Sequence, residues 1–224
     1  MGTLFIVATP IGNLEDITLR ALRILKEVAV VFAEDTRVTR KLFFHYTITT
    51  PLESYHQHSS EKITFRIAEL LRSGKNIALV TDAGTPGISD PGNELIARLC
   101  GILGPDVPIV PVPGPNAAVT LASVSGLPTQ EFIFLGYPPA KKARKKFFER
   151  LALFEDMPKI LYESPYRLDR TLSDIAASCG PDARIVVGRE LTKKFETIFR
   201  GAVQEARVRM SQKTKLGEFT LIVY

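Results

Sequence analysis

Short apolar runs alternate with helical patterns along the first 126 residues, and this alternation restricts the fold more than any other feature of the sequence. Between the runs, apolar residues recur every three or four positions, as in amphipathic helices. The runs themselves show no polar alternation, which is typical of strands covered on both faces. A repeated strand–helix order predicts a mainly parallel, Rossmann-like sheet with helices on both sides. The predicted strands are LFIVA, VAVVFA, NIALVT and PIVPVP.

The pattern restarts after residue 126, at the segment GLPTQE. Five further strand-like runs and three helical patterns follow, which is enough for a second α/β domain. We therefore place a boundary near Pro128 and expect an N-terminal α/β domain at 1–128 and a C-terminal α/β domain at 129–224.

The apolar runs are far shorter than the ~20 residues of a membrane-spanning helix, so no membrane association is expected. The N-terminal MGTLFIVATP lacks a basic region and a cleavage site and is predicted to be a strand. These features favour a cytoplasmic location.

Candidate metal ligands are few and scattered. Cys100 and Cys179 each end an apolar helical pattern, which is typical of buried reduced thiols. His56 and His58 lie in a polar loop without a third ligand nearby. We predict no bound metal.

The net charge of +5 is concentrated in one segment. Residues 138–200 hold 14 Lys and Arg against 9 Asp and Glu, which equals the excess of the whole chain. Such a segment suits a polyanion such as RNA, although a solvated helix face is an equally good interpretation. In KKARKKFFER, an apolar stripe through Ala143, Phe147, Leu151 and Phe154 is predicted to be core. The outward residues are the candidate RNA contacts Lys142, Lys145 and Lys146.

Four loops rich in Gly and Pro follow the predicted strands of the first domain: ATPIGNLED, AEDTR, TDAGTPGISDPG and PVPGPNAA. Ligands of open α/β sheets bind beyond the carboxyl ends of the strands, where these loops must lie. The sequence contains no G-x-G-x-x-G, no phosphate-binding P-loop and no G-x-S-x-G. A pocket made largely of backbone then favours a small adenosine-type cofactor, and ISDPG is expected to start the next helix.

The loop motifs, together with YESPYRL, RELTKKFET and GEFTLIV, resemble the ribosomal RNA small-subunit methyltransferase I family. That family belongs to the tetrapyrrole (corrin/porphyrin) methylase superfamily. The similarity runs in order from residue 4 to residue 223. Relatives commonly continue past GEFTLIV into a basic helical segment, so this chain is either a naturally short member or a trimmed one.

The resemblance implies transfer of a methyl group from S-adenosylmethionine to the ribose 2′-oxygen of a cytidine in small-subunit (16S) ribosomal RNA. It also implies a homodimer of two-domain subunits, with the cofactor in the cleft between the domains and the RNA or the ribosomal subunit as substrate. Carried over motif by motif, the expected cofactor-binding residues are Pro10, Asp82, Ala83, Gly84, Thr85, Asn116, Ala117, Tyr162, Glu163, Leu191, Gly217 and Glu218.

Methyl transfer to a hydroxyl needs alignment and a route for the proton. Asp35 is our candidate for the base or orienting group, with a helix N-cap as the alternative, and Arg37 is a candidate phosphate contact. Lys193 is expected to hold a phosphate or to favour the alkoxide, while Lys194 is assigned to the surface. Arg167 has two open interpretations, an ion pair with Glu163 or an RNA contact.

Two other functions remain as alternatives. A tetrapyrrole carbon methyltransferase of the same superfamily would have a GxGxGD first loop, and ATPIGN stands there instead. A non-catalytic module that binds the cofactor or RNA would fit if the named carboxylates and lysines were only structural.

Overall fold

The computed structural model describes residues 1–56, 61–90, 92–211 and 216–224. Within it the chain forms two compact units, Met1–Asn116 and Ala117–Tyr224. The division falls between Asn116 and Ala117, whereas the sequence pattern places the boundary near Pro128. The difference is helix α5 (Ala117–Ser123), a short helix that the sequence pattern groups with the first domain and that contacts strands of the second unit.

The first unit contains a five-stranded sheet in the order β3-β2-β4-β1-β5, and every neighbouring pair is parallel. This confirms the predicted parallel, Rossmann-like sheet. Its strands are β1 (Leu4–Val7), β2 (Val30–Ala33), β3 (Leu52–Ser54), β4 (Ile77–Val80) and β5 (Ile109–Val112).

Helices cover both faces of this sheet. Alternate strand residues point to opposite faces, so Val31 belongs to one core and Phe32 to the other. Helices α1 (Leu19–Glu27) and α2 (Thr36–His45) pack with the Val31 face. Helices α3 (Glu61–Arg72) and α4 (Asn93–Leu103) pack with the Phe32 face. No helix in the described ranges is both long and apolar enough to cross a bilayer.

Strand β3 is absent from the sequence prediction, which therefore counted NIALVT as the third strand instead of the fourth. Its three residues, Leu52–Ser54, pair only with β2 at the sheet edge and are half-buried or exposed. A short strand in that position has neither a continuous apolar run nor a clear alternation, so no pattern marks it.

The second unit is built on a mixed sheet in the order β6-β7-β10-β8-β9, in which β6 and β7 are parallel and the other pairs antiparallel. Helices α6, α7 and α8 share one apolar core with one face of the sheet. The elements are β6 (Ile133–Gly136), α6 (Arg144–Ala152), β7 (Lys159–Glu163), α7 (Leu168–Cys179), β8 (Arg184–Arg189), β9 (Thr197–Ala202), α8 (Val203–Ser211) and β10 (Phe219–Val223).

The structure confirms Leu151 and Phe147 in the predicted apolar stripe of α6 but corrects the start of that stripe. The helix begins at Arg144, and its buried residues are Arg144, Phe148 and Leu151. Ala143, predicted in the apolar stripe, is exposed in a left-handed conformation with φ 67°. Arg144 is buried because it donates hydrogen bonds to Asp174 at 2.7 Å and to the Thr171 hydroxyl at 2.8 Å. Periodicity alone does not distinguish such a paired cation from a surface one.

Candidate active site

The loops after β1, β4 and β5 are joined by hydrogen bonds. Thr9 and Gly84 form an isolated antiparallel bridge, with N–H to O distances of 2.9 and 3.1 Å. The Thr9 hydroxyl donates to the Thr81 carbonyl at 3.1 Å, and the Thr85 hydroxyl donates to the Pro115 carbonyl at 3.4 Å. Three of the four loops singled out in the sequence are therefore held together at the carboxyl edge of the sheet.

Backbone lies close to backbone at this edge. Gly84 has φ 81°, a left-handed conformation that favours glycine. A Cβ on Gly114 would approach the Ala8 Cβ to 3.0 Å. An edge made of backbone groups, hydroxyls and carboxylates fits a ligand with both an ammonium and a carboxylate group, as S-adenosylmethionine has.

The loop after β2 joins the same edge through carboxylates. The N–H of Asp35 donates to Asp82 Oδ1 at 3.0 Å, and the N–H of Asp82 donates to Glu34 Oε2 at 3.5 Å. Desolvation raises the pKa of both Glu34 and Asp82, and repulsion from neighbouring carboxylates raises both pKa values further. Asp82, Ala83, Gly84 and Thr85, all predicted to bind the cofactor, lie in this joined loop, and Pro10 is buried beside Thr9.

Asp35 acts as a helix cap. Its carboxylate accepts the Arg37 N–H at 2.8 Å as the N-cap of α2, and it also pairs with the Arg37 side chain at 2.6 Å. The hydrogen bonds from the Arg37 side chain lower the pKa of Asp35 to about 2. A carboxylate with this pKa is a weak base, so the structure favours the capping alternative.

Tyr162 lies on the face of the second sheet that helix α5 covers. Its hydroxyl accepts the Ala118 N–H at 3.3 Å, and its ring meets Phe134 edge-on at a centroid distance of 5.0 Å. The half-buried Ala117 begins the helix, while the half-buried Asn116 ends the first unit.

Glu163 is buried and its oxygens are occupied. One accepts the Ser164 N–H at 2.7 Å and lies 2.9 Å from Arg167 Nε, and the other accepts the Thr171 hydroxyl at 2.5 Å. Of the two interpretations of Arg167, the structure therefore shows the ion pair. The cofactor contact predicted for Glu163 stays a prediction, since its carboxylate already has three partners.

Lys193 links two loops. Its ammonium donates to Glu190 at 3.0 Å and to Glu218 at 2.8 Å, while Lys194 is exposed. Burial lowers the pKa of Lys193, but the bonds with Glu218 and Glu190 outweigh burial and raise that pKa overall. Lys193 is therefore a charged structural link, and its predicted part in the reaction remains a prediction.

Two further residues predicted to bind the cofactor are tightly placed. Leu191 is buried, and a Cβ on Gly188 would lie 3.0 Å from its Cδ2. Gly217 has φ 116°, and a Cβ there would lie 2.8 Å from Glu190 Cγ.

Lys142, Lys145 and Lys146 are exposed, and Lys145 lies 3.7 Å from Glu149. Cys100 and Cys179 are free thiols and are half-buried, whereas the sequence predicted buried ones. His58 lies outside the described residues. The parts of the chain that the structure describes contain no cluster of three or more His, Cys, Asp or Glu residues suited to a metal ion.

The sequence prediction missed Asp90, which it assigned to the start of the next helix. Helix α4 instead begins at Asn93 with Gly92 as N-cap and without a side-chain cap bond. Asp90 lines a cavity, and its burial depends on tertiary contacts that no local motif signals.

The fold and loops match those of a known class of enzymes. A family model for tetrapyrrole (corrin/porphyrin) methylases matches residues 3–207, and the chain belongs to this family. It is a methyltransferase that uses S-adenosylmethionine.

Relatives within that family confirm the resemblance inferred from the motifs. A protein of Halalkalibacterium halodurans named ribosomal RNA small subunit methyltransferase I is 47% identical, over 99% of this chain and 75% of its own. One of the same name from Thermotoga maritima is 45% identical, over 100% of this chain and 98% of its own. A crystal structure of the methyltransferase CobJ aligns with TM-score 0.72 at 17% identity, over 100% of this chain and 94% of that one, which shows the shared fold.

Proposed function

We propose that this methyltransferase transfers the methyl group to the ribose 2′-oxygen of a cytidine in small-subunit ribosomal RNA. The observation that carries the proposal is the set of four loops joined at the carboxyl edge of the first sheet, in a chain 45–48% identical to several proteins named ribosomal RNA small subunit methyltransferase I. The substrate is RNA or the ribosomal subunit that contains it, which would place the protein in the cytoplasm.

In the first unit, we assign cofactor binding to Pro10, Asn116 and the segment 82–85. Asp82 is exposed and carries a carboxylate suited to an α-ammonium group. Gly84 lets a ligand approach the backbone, because it has no side chain and adopts its left-handed conformation at low cost.

In the second unit, we assign cofactor binding to Ala117, Tyr162, Leu191, Gly217 and Glu218. Tyr162 and Leu191 offer apolar surface for an adenosine. Glu163 contributes by holding the start of α7 through Arg167 and Thr171, as its hydrogen bonds indicate.

S-adenosylmethionine, when bound, supplies an electrophilic methyl group on a sulfonium. The protein must align the acceptor oxygen and take up its proton. With its carboxylate bound to Arg37 and the helix N-terminus, Asp35 orients Arg37 and leaves that exposed guanidinium able to hold an RNA phosphate. Lys193 keeps the loops at Glu190 and Glu218 in place and offers positive charge near them.

RNA binding is assigned to Lys142, Lys145 and Lys146, together with Arg37. These lysines are exposed, and they lie in the segment that carries the net positive charge. We also propose a homodimer, as the family resemblance implies.

The test is a transfer assay with labelled S-adenosylmethionine and three acceptors: small ribosomal subunits lacking the modification, free small-subunit RNA and a precorrin. The proposal predicts label in RNA or in the subunits and none in the precorrin. Label in the precorrin would instead support the carbon methyltransferase, and cofactor binding without transfer would support a non-catalytic module. Light scattering of the same preparation tests the homodimer, which a monomeric mass would contradict.

A further inference from the structure

A cavity of about 410 Å³ lies entirely within the first unit, at the carboxyl edge of its sheet. Among the described residues, the lining comes from Tyr55, which follows β3, and from the loop after β4 with the start of α4. The described polar side chains in this lining are Tyr55, Ser89, Asp90, Asn93 and Glu94. Its volume is in the range of small-molecule sites, large enough for a nucleoside.

The described residues on either side of position 91 contact one another closely. Asn93 Nδ2 donates to the Gly87 carbonyl at 2.7 Å. A Cβ on Gly87 would lie 2.7 Å from Asn93 Oδ1, and a Cβ on Gly92 would lie 3.0 Å from the Gly87 nitrogen. Because glycine has no side chain, Gly87 and Gly92 can lie this close to each other and to Asn93 at the start of α4.

Asp90 differs from the other carboxylates at this edge. Asp35 is bound by Arg37, Asp82 accepts the Asp35 N–H, and Glu34 faces the Asp82 N–H. In the described ranges, no group donates a hydrogen bond or forms an ion pair with the half-buried Asp90 carboxylate. Among the described residues, its lone pairs have no hydrogen-bond donor, which would let them accept from a ligand in the cavity.

The charges around Asp90 favour uptake of a proton near neutral pH. Burial raises the pKa of Asp90, and repulsion from Glu34 and Asp82 raises it further, to about 7. Glu94 on α4 and Tyr55 line the same cavity, and burial also raises the pKa of Tyr55. A base is most effective when its pKa lies near the working pH.

We propose that this cavity receives the acceptor nucleoside and that Asp90 is the general base for its 2′-hydroxyl. The inference rests on the function proposed above and assigns its proton acceptor. As the oxygen–carbon bond forms and the carbon–sulfur bond breaks, the hydroxyl proton passes to Asp90, which later releases it to water. The products are the 2′-O-methylated ribose, S-adenosylhomocysteine and one proton.

The first test compares Asp90→Asn with the wild type in single-turnover transfer to small ribosomal subunits at saturating S-adenosylmethionine. We expect a loss of about 100-fold or more in rate, as for removal of a general base. Affinity for S-adenosylmethionine by calorimetry and for the subunits should change by less than about twofold, since the substitution removes a proton acceptor and keeps the shape of the side chain. The control is Asp106→Asn, an exposed carboxylate between α4 and β5, which should match the wild type.

The second test uses pH. Wild-type rates should rise with pH and level off above about 7, where Asp90 is ionised, and this rise should disappear in Asp90→Asn. Glu34→Gln removes one repelling charge, so the midpoint should move to lower pH. A carbon-13 NMR titration of the Asp90 carboxyl, assigned by its loss in Asp90→Asn, reports the same pKa without any acceptor.

A wild-type transfer rate in Asp90→Asn would overturn the assignment. So would a measured pKa of the Asp90 carboxyl near its ordinary value of 3.8. An unmoved midpoint in Glu34→Gln would also count against it. Failure of the wild-type protein to methylate ribose would instead refute the proposed function, and the NMR titration would still report on Asp90.

Discussion

The backbone N–H of Asp35 donates a hydrogen bond to the Asp82 carboxylate at 3.0 Å, joining loops that follow two neighbouring strands. The same carboxylate is the one we assign to the cofactor. Asp82 therefore has a structural partner and a proposed ligand. Its contribution to stability and its contribution to cofactor binding can be separated by substitution.

Asp82→Asn keeps an oxygen that can accept the Asp35 N–H but removes the charge. We expect it to weaken S-adenosylmethionine binding by about 1–3 kcal/mol, as for the loss of a charged hydrogen bond, with little change in Tm. Asp82→Ala removes both the charge and the acceptor of the Asp35 N–H, so it should weaken S-adenosylmethionine binding and also lower Tm. Calorimetry and thermal unfolding measure the two effects, and unchanged affinity in both variants would remove Asp82 from the site.

Gly84→Ala tests the close approach of ligand to backbone. Its φ of 81° makes a side chain costly by about 1–2 kcal/mol, although the new Cβ would meet no atom closer than 3.6 Å. Gly74→Ala is a matched control, because its φ is 79° and nothing lies within 4 Å of its Cβ position. Both variants should lose similar stability in urea, while only Gly84→Ala should bind the cofactor more weakly. Equal affinity in the two variants would contradict the assignment.

Lys193→Met removes the link between Glu190 and Glu218 and leaves two carboxylates close together. We expect a loss of about 1 kcal/mol in the free energy of unfolding, measured in urea, because this pair of ion contacts is partly buried. Lys194→Met, at the neighbouring exposed position, should stay within about 0.5 kcal/mol of the wild type. Equal stability of the two variants would show that the link contributes nothing.

Asp90 should also lower stability at high pH. Its pKa is about 7 in the folded protein against an ordinary 3.8, so the folded state binds more protons than the unfolded chain between these values. Stability is therefore lost as the pH rises from about 4 to about 7. Asn cannot ionise, so Asp90→Asn should equal the wild type at pH 4 and exceed its Tm by about 10 °C at pH 8, since a difference of about three pKa units corresponds to about 4 kcal/mol. A Tm difference independent of pH would contradict the raised pKa.

The main sheet was predictable because its strands are buried on both faces. Val31 and Phe32 enter different cores, so the run that contains them is apolar throughout. Strand β3 was not predictable, since Leu52–Ser54 pair on one side and remain partly exposed.

The candidate site was predictable in its loops and less so in its titrating groups. The capping role of Asp35 follows from a carboxylate placed before a helix, a local signal. The raised pKa of Asp90 depends on burial and on Glu34, which is distant in sequence. Arg144 was missed for the same reason, because Asp174 pairs with it from another helix.

The most direct test of the account is the chemical position of the methyl group. Small ribosomal subunits lacking the modification are incubated with the protein and labelled S-adenosylmethionine, and the RNA is digested to nucleosides for mass spectrometry. The account predicts labelled 2′-O-methylcytidine and, before digestion, one linkage resistant to alkali, because a methylated 2′-oxygen cannot attack its phosphate. Label on a base, or in no nucleoside at all, would contradict it.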